Sequence, residues 1–282
     1  MSLMVFAAEQ GPAVHIAPAP VLQLGGVTIT NSILYGWICM VIMVTLLVWV
    51  ARKVTVHPKR GIVQFIEMGA EFIMKTVESG FDDKKQARKY MPYFVTLFFF
   101  LLINNWLGLL PGVGEALTIN GLPVLRAFTA DLNATLAAAT ITMLYVYGRS
   151  IAAFGSPLKF LRHFFVGSPL NPLYFVIGVL EMITNLMRVF SLAIRLFLNV
   201  AVGEIIIAVF TYLGQFLAPV TAAPFTAIEL FVGALQAFIF ATLSTMYLAA
   251  AVNGAHHEQH EQSETTTSDM PNAALSADGS NA

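Results

Sequence analysis

The sequence predicts an all-α membrane protein. It has five transmembrane helices, the last two long and tilted, plus one amphipathic membrane-surface helix. Three observations carry this. Of 282 residues, 57% are hydrophobic and only 11% are charged, with a mean hydropathy of +0.74, against about 25% charged in soluble domains. Several apolar runs reach the roughly 20 residues that a helix needs to cross the hydrocarbon core. Finally, the basic residues gather in alternate connections between those runs.

Residues 1–30 read as an outside N-terminal segment, and 31–252 as one transmembrane helical domain. Met1–Ala8 is apolar but lacks the positive flank of a signal peptide. Gly11–Gly26 is rich in Pro, Gly and Ala and reads as an extended lead-in. The first span covers about 31–51, with Trp37 and Trp49 toward its ends, where interfacial aromatics concentrate. Over about 59–81, Ile62, Phe65, Ile66, Gly69, Phe72, Ile73, Thr76 and Val77 recur at helical spacing, and Glu67, Glu71, Lys75 and Glu78 fall mainly between them. That amphipathic helix lies on the membrane or packs on the bundle. Asp82–Lys89 reads as a solvated connection.

The second span covers about 92–110. Pro92 suits a first turn, and the Pro111-Gly112 pair ends the run. The third covers about 127–148. Residues 149–171 mix Pro157, Lys159, Arg162, His163 and Pro169 and read as a loop with a short surface helix. The fourth and fifth spans, about 173–217 and 224–252, are longer than one crossing requires. Residues 253–282 read as a disordered cytoplasmic tail. Its His256, His257 and His260 fit an exposed polar segment better than a metal site.

Orientation follows from the basic residues. With the N-terminus outside, Arg52, Lys53, Lys59, Arg60, Lys75, Lys84, Lys85, Arg88, Lys89, Arg149, Lys159 and Arg162 all fall inside. Arg126 is the one basic residue left in an outside loop. The net charge of −1, with no basic patch to contradict it, suggests no nucleic-acid partner. The chain has no Gly-rich phosphate loop, so no bound nucleotide is expected. The lone Cys39 sits in an apolar run without metal-ligand spacing, and neither a metal nor a cofactor is expected.

The fourth span holds Glu181, Arg188, Arg195 and Glu204. Each charge costs about 2.5–3.5 kcal/mol at a helix centre on insertion scales. Such residues persist where they face protein, water or one another. At about 100° per residue, Glu181, Thr184, Arg188, Ser191, Arg195 and Asn199 fall within about 40° of one line. Glu204 lies on the opposite face, about 13 Å further along the axis. Glu181 is then near the inner surface and Glu204 near the outer one, with Arg195 between. Two polar regions opening to opposite sides, parted by a fixed cation, read as two half-pathways with a barrier. Arginine suits the barrier because it stays protonated and cannot relay a proton. In the fifth span, Glu229, Gln236 and Tyr247 share a line within about 20°, and Glu229 and Glu204 share the outer end. Arg188 and Glu181 also fit snorkelling to the interface. Asn104, Asn105, Asp131 and Asn133 also fit helix packing.

These residues carry a resemblance. The stretch Ser191-Leu-Ala-Ile-Arg195-Leu-Phe-Leu-Asn199-Val-Ala-Val-Gly-Glu204 closely resembles the signature of subunit a of F-type ATP synthases. Leu235-Gln236-Ala-Phe-Ile-Phe240 followed by Tyr247, Asn105–Pro111, and Ala130-Asp131-Leu-Asn133 resemble further elements of that family in the same order. The resemblance implies a membrane stator beside a ring of c subunits and held by peripheral-stalk b subunits, in a bacterial inner membrane. Arg195 would separate the half-channels. The outer pathway would hold Glu204, Glu229, Asn199, Gln236, Asp131, Asn133 and Asn105; the inner would hold Glu181, Thr184, Ser191 and Tyr247. Two departures stand out. Many relatives pair one outer glutamate with a histidine, whereas Glu204 and Glu229 occupy both positions here. Gly108 stands where some members carry aspartate, so no acid role is carried there. The runner-up is a stand-alone transporter or channel with Arg195 as counter-ion. Its hallmark, repeated halves with broken helices, is not visible here.

Overall fold

The computed structural model describes residues 20–24, 27–53, 61–110, 113, 118–119, 122–123, 125–156 and 172–268. Six α-helices dominate: α1 (Asn31–Lys53), α2 (Ile62–Gly80), α3 (Lys84–Gly108), α4 (Leu132–Phe154), α5 (Pro172–Gly214) and α6 (Ala218–Ser268). Two small antiparallel hairpins interrupt the all-α expectation. One pairs β1 (Pro20–Leu24) with β2 (Val27–Thr30), and the other pairs β3 (Thr118–Ile119) with β4 (Leu122–Pro123). The first begins on the expected extended lead-in, and just past it Val27-Thr-Ile-Thr30 supplies β-branched residues.

Helices α1, α3, α4 and the stretch 176–255, which contains most of α5 and α6, are long and apolar enough to cross a membrane. Phe94, Leu101, Met143, Leu196, Phe240 and Leu248 are almost wholly enclosed and knit α3, α4, α5 and α6 together. The outer faces stay apolar too: Val41, Ile141, Leu144 and Phe231 each expose more than 60% of their surface. A bilayer, not water, suits such a surface.

Several boundaries differ from expectation. Helix α3 begins at Lys84, so Pro92 is internal rather than in the first turn. Asp83 caps that earlier start by accepting a hydrogen bond from the Lys85 amide at 2.9 Å. The basic run is therefore helix projecting beyond the apolar part. Helix α4 starts at Leu132, not near 127, because Asp131 caps it and residues 128–130 form a 3-10 turn. Helix α6 begins at Ala218, ahead of Pro224, and continues to Ser268. It thus enters the stretch read as a disordered tail. Polar residues such as Glu258, Gln259, Glu261 and Gln262 are good helix formers. The first turn of that stretch even packs on the bundle, with Ala255 buried and Asn253 donating to the Gly80 carbonyl at 3.3 Å; low apolar content does not exclude helix. The expected surface helix within 149–171 falls mostly outside the described residues.

The segment expected to be amphipathic is helical, as α2, and it packs lengthwise on α3. Phe65 stacks on Trp106 near the end of α3 at 6.1 Å between ring centroids, and Phe81, just past α2, stacks on Tyr90 near the start of α3 at 5.5 Å. The two helices are therefore antiparallel neighbours. Ile66, Ile73 and Val77 are buried, and Phe72 meets Phe238 of α6 at 5.0 Å. The polar side carries an exposed Glu71–Lys75 ion pair at 2.9 Å.

Candidate functional site

Helices α5 and α6 form an antiparallel hairpin around the 3-10 turn Gln215–Leu217. Gln215 takes a left-handed φ of 45°, and Thr221 donates to the Phe210 carbonyl at 2.9 Å across the turn. Phe210 stacks on Phe225 at 3.8 Å. Farther from the turn, the Glu229 carboxylate lies against Gly203, and the Arg188 guanidinium lies 4.6 Å above the Tyr247 ring. These three pairs keep one register, so each step down α5 is matched by a step up α6. Arg195 falls between the second and third pairs.

A groove of about 680 Å³ runs along this hairpin, lined by Ser191, Arg195, Asn199 and Gly203 from α5 and by Glu229, Val232 and Gln236 from α6. Ser191, Arg195 and Asn199 come from the predicted stripe, and the structure puts all three on one wall. Arg195 is exposed and makes no ion pair or hydrogen bond among the described residues. The amide nitrogens of Asn199 and Gln236 have no acceptor among the described residues, although Gln236 is only 5% exposed. Buried donors are normally paired, so this groove presents a fixed cation and two unsatisfied donors in one place.

The other predicted residues divide. Glu229 lines the groove; Glu204, one residue beyond Gly203 on the far face of α5, does not. Thr184 is exposed and donates back to the Leu180 carbonyl at 2.8 Å. The Glu181 side chain lies outside the described residues. Tyr247 sits under Arg188, which also donates to the Asn185 side-chain oxygen at 2.8 Å. Asn105 donates to the Gly233 carbonyl at 3.0 Å, and its neighbour Trp106 donates to the Leu230 carbonyl at 2.9 Å. Both hook α3 onto α6. Asn133 is exposed on the first turn of α4. Asp131 is 4% exposed; it accepts from the Asn133 amide at 2.9 Å and from the Ser32 hydroxyl at 2.5 Å.

Sequence reasoning missed Gly203, Asn185 and Ser32. Gly203 had a visible signal, because it stands inside a long helix, twelve residues short of the turn residue Gln215, where glycine costs stability. Asn185 had one too, because Arg188 follows it by three residues on the same helix face; Ser32 had none, because its partner Asp131 is distant in sequence.

A family model described as ATP synthase A chain matches residues 33–249. The chain belongs to that family. Relatives called "ATP synthase subunit a" agree. The protein of Syntrophobacter fumaroxidans is 30% identical over 248 residues, covering 86% of this chain and 92% of the relative. That of Gloeobacter violaceus is 31% identical over 253 residues, covering 88% and 94%. That of Moorella thermoacetica is 29% identical over 240 residues, covering 85% and 99%. Membership makes this an integral membrane protein of ATP synthesis and proton transport, working in a complex with other Fo subunits. The expected family is therefore the family found.

Proposed function

We propose that this chain is the stator of a rotary F-type ATP synthase, offering two offset proton half-channels to a ring of c-subunit carboxylates. One observation carries the reading: Arg195 stands exposed in the α5–α6 groove with no partner among the described residues, beside amide donors of Asn199 and Gln236 that lack acceptors there too. A guanidinium facing lipid would cost several kcal/mol. A carboxylate on a neighbouring subunit would remove that cost and satisfy the amides together. As each ring carboxylate arrives, Arg195 favours its ionised form and the proton leaves. Once past, the carboxylate is reprotonated before it meets lipid. The fixed charge also repels a cation moving straight through.

Glu229, Asn199 and Gln236 form the outer branch, with Glu204 at its mouth. Asn105 and Asn133 flank it. Ser191, Thr184, Glu181 and Tyr247 mark the inner branch. Asp131, committed to Ser32 and to the α4 cap, anchors this region rather than relaying protons. The two long helices suit such a task. At about 1.5 Å per residue, the 43 residues of α5 span about twice the hydrocarbon thickness. The helix therefore inclines strongly or projects, and can follow a curved ring surface. The peripheral-stalk b subunits hold the chain still, with the N-terminus outside and α6 ending in the cytoplasm of a bacterial cell.

The test is proton flux in inverted membrane vesicles carrying Arg195→Ala beside wild type, with assembly checked by subunit content. Coupled pumping is expected to vanish, with a passive leak where the barrier was. Wild-type pumping in that variant defeats the proposal.

A further inference from the structure

We propose that Arg149 and Lys89 form a second site, for a phosphate-type oxyanion supplied by an anionic phospholipid headgroup, where α3 begins and α4 ends. Arg149 lies one turn from the end of α4. Its guanidinium carbon sits 5.5 Å from the Tyr90 ring centre and 5.7 Å from that of Tyr145. The Lys89 ammonium lies 5.7 Å from the Tyr90 ring. Tyr90 is 5% exposed, and Tyr93 stacks on Tyr145 at 3.7 Å, so neither ring is free to swing away. Two cations are thus held beside one enclosed tyrosine.

No carboxylate among the described residues pairs with them. Among the described residues the ion pair is Glu71–Lys75, and neither Arg149 nor Lys89 has an acidic partner. The Arg149 Nε is buried and has no hydrogen-bond acceptor. Cation–π contact occupies the face of a guanidinium and leaves its N–H edge unsatisfied. Arg149 is half-buried overall, and the terminal nitrogens of its fork match two oxygens of a phosphate. Basic pockets between membrane helices near the cytoplasmic interface take such headgroups. Helix α4 is long and apolar enough to cross a membrane, and Arg149 lies near its end. That places the guanidinium at headgroup depth, so the lipid is the favoured source. The site stands apart from the Arg195 groove, and its failure leaves the stator reading intact.

The assembled complex, in detergent with mixed phosphatidylglycerol and phosphatidylcholine, provides the test by native mass spectrometry of retained lipid. Wild type should retain phosphatidylglycerol preferentially. Lys89→Gln and Arg149→Gln should each weaken retention by about fivefold, the worth of one basic residue near an anionic headgroup. Arg149→Lys should fall between, since it keeps the charge and loses the fork. Lys89 is exposed, so its variant keeps the test open if Arg149→Gln fails to assemble. Undiminished retention in both glutamine variants overturns the site. So does an absence of headgroup preference in wild type, the result expected if another subunit's carboxylate already fills it. Displacement of the lipid by millimolar inorganic phosphate would overturn the lipid as source and assign the oxyanion to solution.

Discussion

The Glu229 carboxylate occupies the space that a side chain at Gly203 would fill: a β-carbon built there overlaps all three carboxylate atoms. This acid of α6 is thereby pressed onto the backbone of α5, at the groove that holds Arg195. Gly203→Ala should push the carboxylate aside. Overpacking of this kind costs about 1–3 kcal/mol, and ATP-driven pumping per assembled complex should fall at least several-fold. Adding Glu229→Asp shortens the acid by one methylene and should restore part of the loss. Unaltered pumping in Gly203→Ala, with normal assembly, would remove this contact from the proton route.

Much of this groove was legible in the sequence, for a geometric reason. Ser191, Arg195 and Asn199 follow helical period, and a helix without kinks turns period into position. Gln236 and Glu229 were legible in the same way on α6. The shared vestibule of Glu204 and Glu229 was less so. Angular position on one helix says nothing of how the neighbouring helix is rotated, and the structure faces Glu229 toward Gly203 instead of Glu204. The same limit applies to α2. Its apolar period marked a helix with one buried side, and only tertiary contacts such as Phe65–Trp106 show that it lies along α3. The early start of α3 was hidden because charged residues signal solvent, and solvent does not exclude helix.

Asn105 and Trp106 both donate to carbonyls of α6, at Gly233 and Leu230. Side-chain hydrogen bonds between membrane helices average about 0.6 kcal/mol and reach about 1.7. Asn105→Ala should therefore lower the thermal stability of the purified complex slightly while flux per assembled complex holds. A collapse of flux at unchanged stability would move Asn105 from packing into the proton route.

Arg188 rests on the Tyr247 ring at 4.6 Å and donates to Asn185, while the Tyr147 hydroxyl donates to the Asn185 carbonyl at 3.4 Å. Tyr247→Phe keeps the aromatic face and removes the hydroxyl; Tyr247→Leu removes both. If the ring matters, Phe should pump like wild type, and Leu should lose the cation–π contact, worth about 0.5–2 kcal/mol. Equal loss in both would assign the role to the hydroxyl, and with it a direct part in the inner pathway. Pumping rates of the two variants at matched subunit content decide.

Asp131 joins three elements. It caps α4 through the Asn133 amide, accepts from Ser32 at the start of α1, and follows the 3-10 turn whose Ala130 carbonyl accepts from buried Arg126 at 3.1 Å. Thr30 extends the chain through a 2.9 Å contact between its hydroxyl and that of Ser32. A carboxylate so fully engaged serves poorly as a proton carrier, because protonation would cost it an acceptor. Asparagine caps a helix about as well as aspartate and can still accept from Ser32, whereas alanine does neither; loss of the cap alone costs about 0.5–2 kcal/mol. Asp131→Asn should thus retain most coupled flux with a modest loss of thermal stability. Asp131→Ala should lower the yield of assembled complex, with Ser32→Ala producing a smaller change in the same direction. Flux abolished in Asp131→Asn, with stability and assembly intact, would return this residue to the outer half-channel.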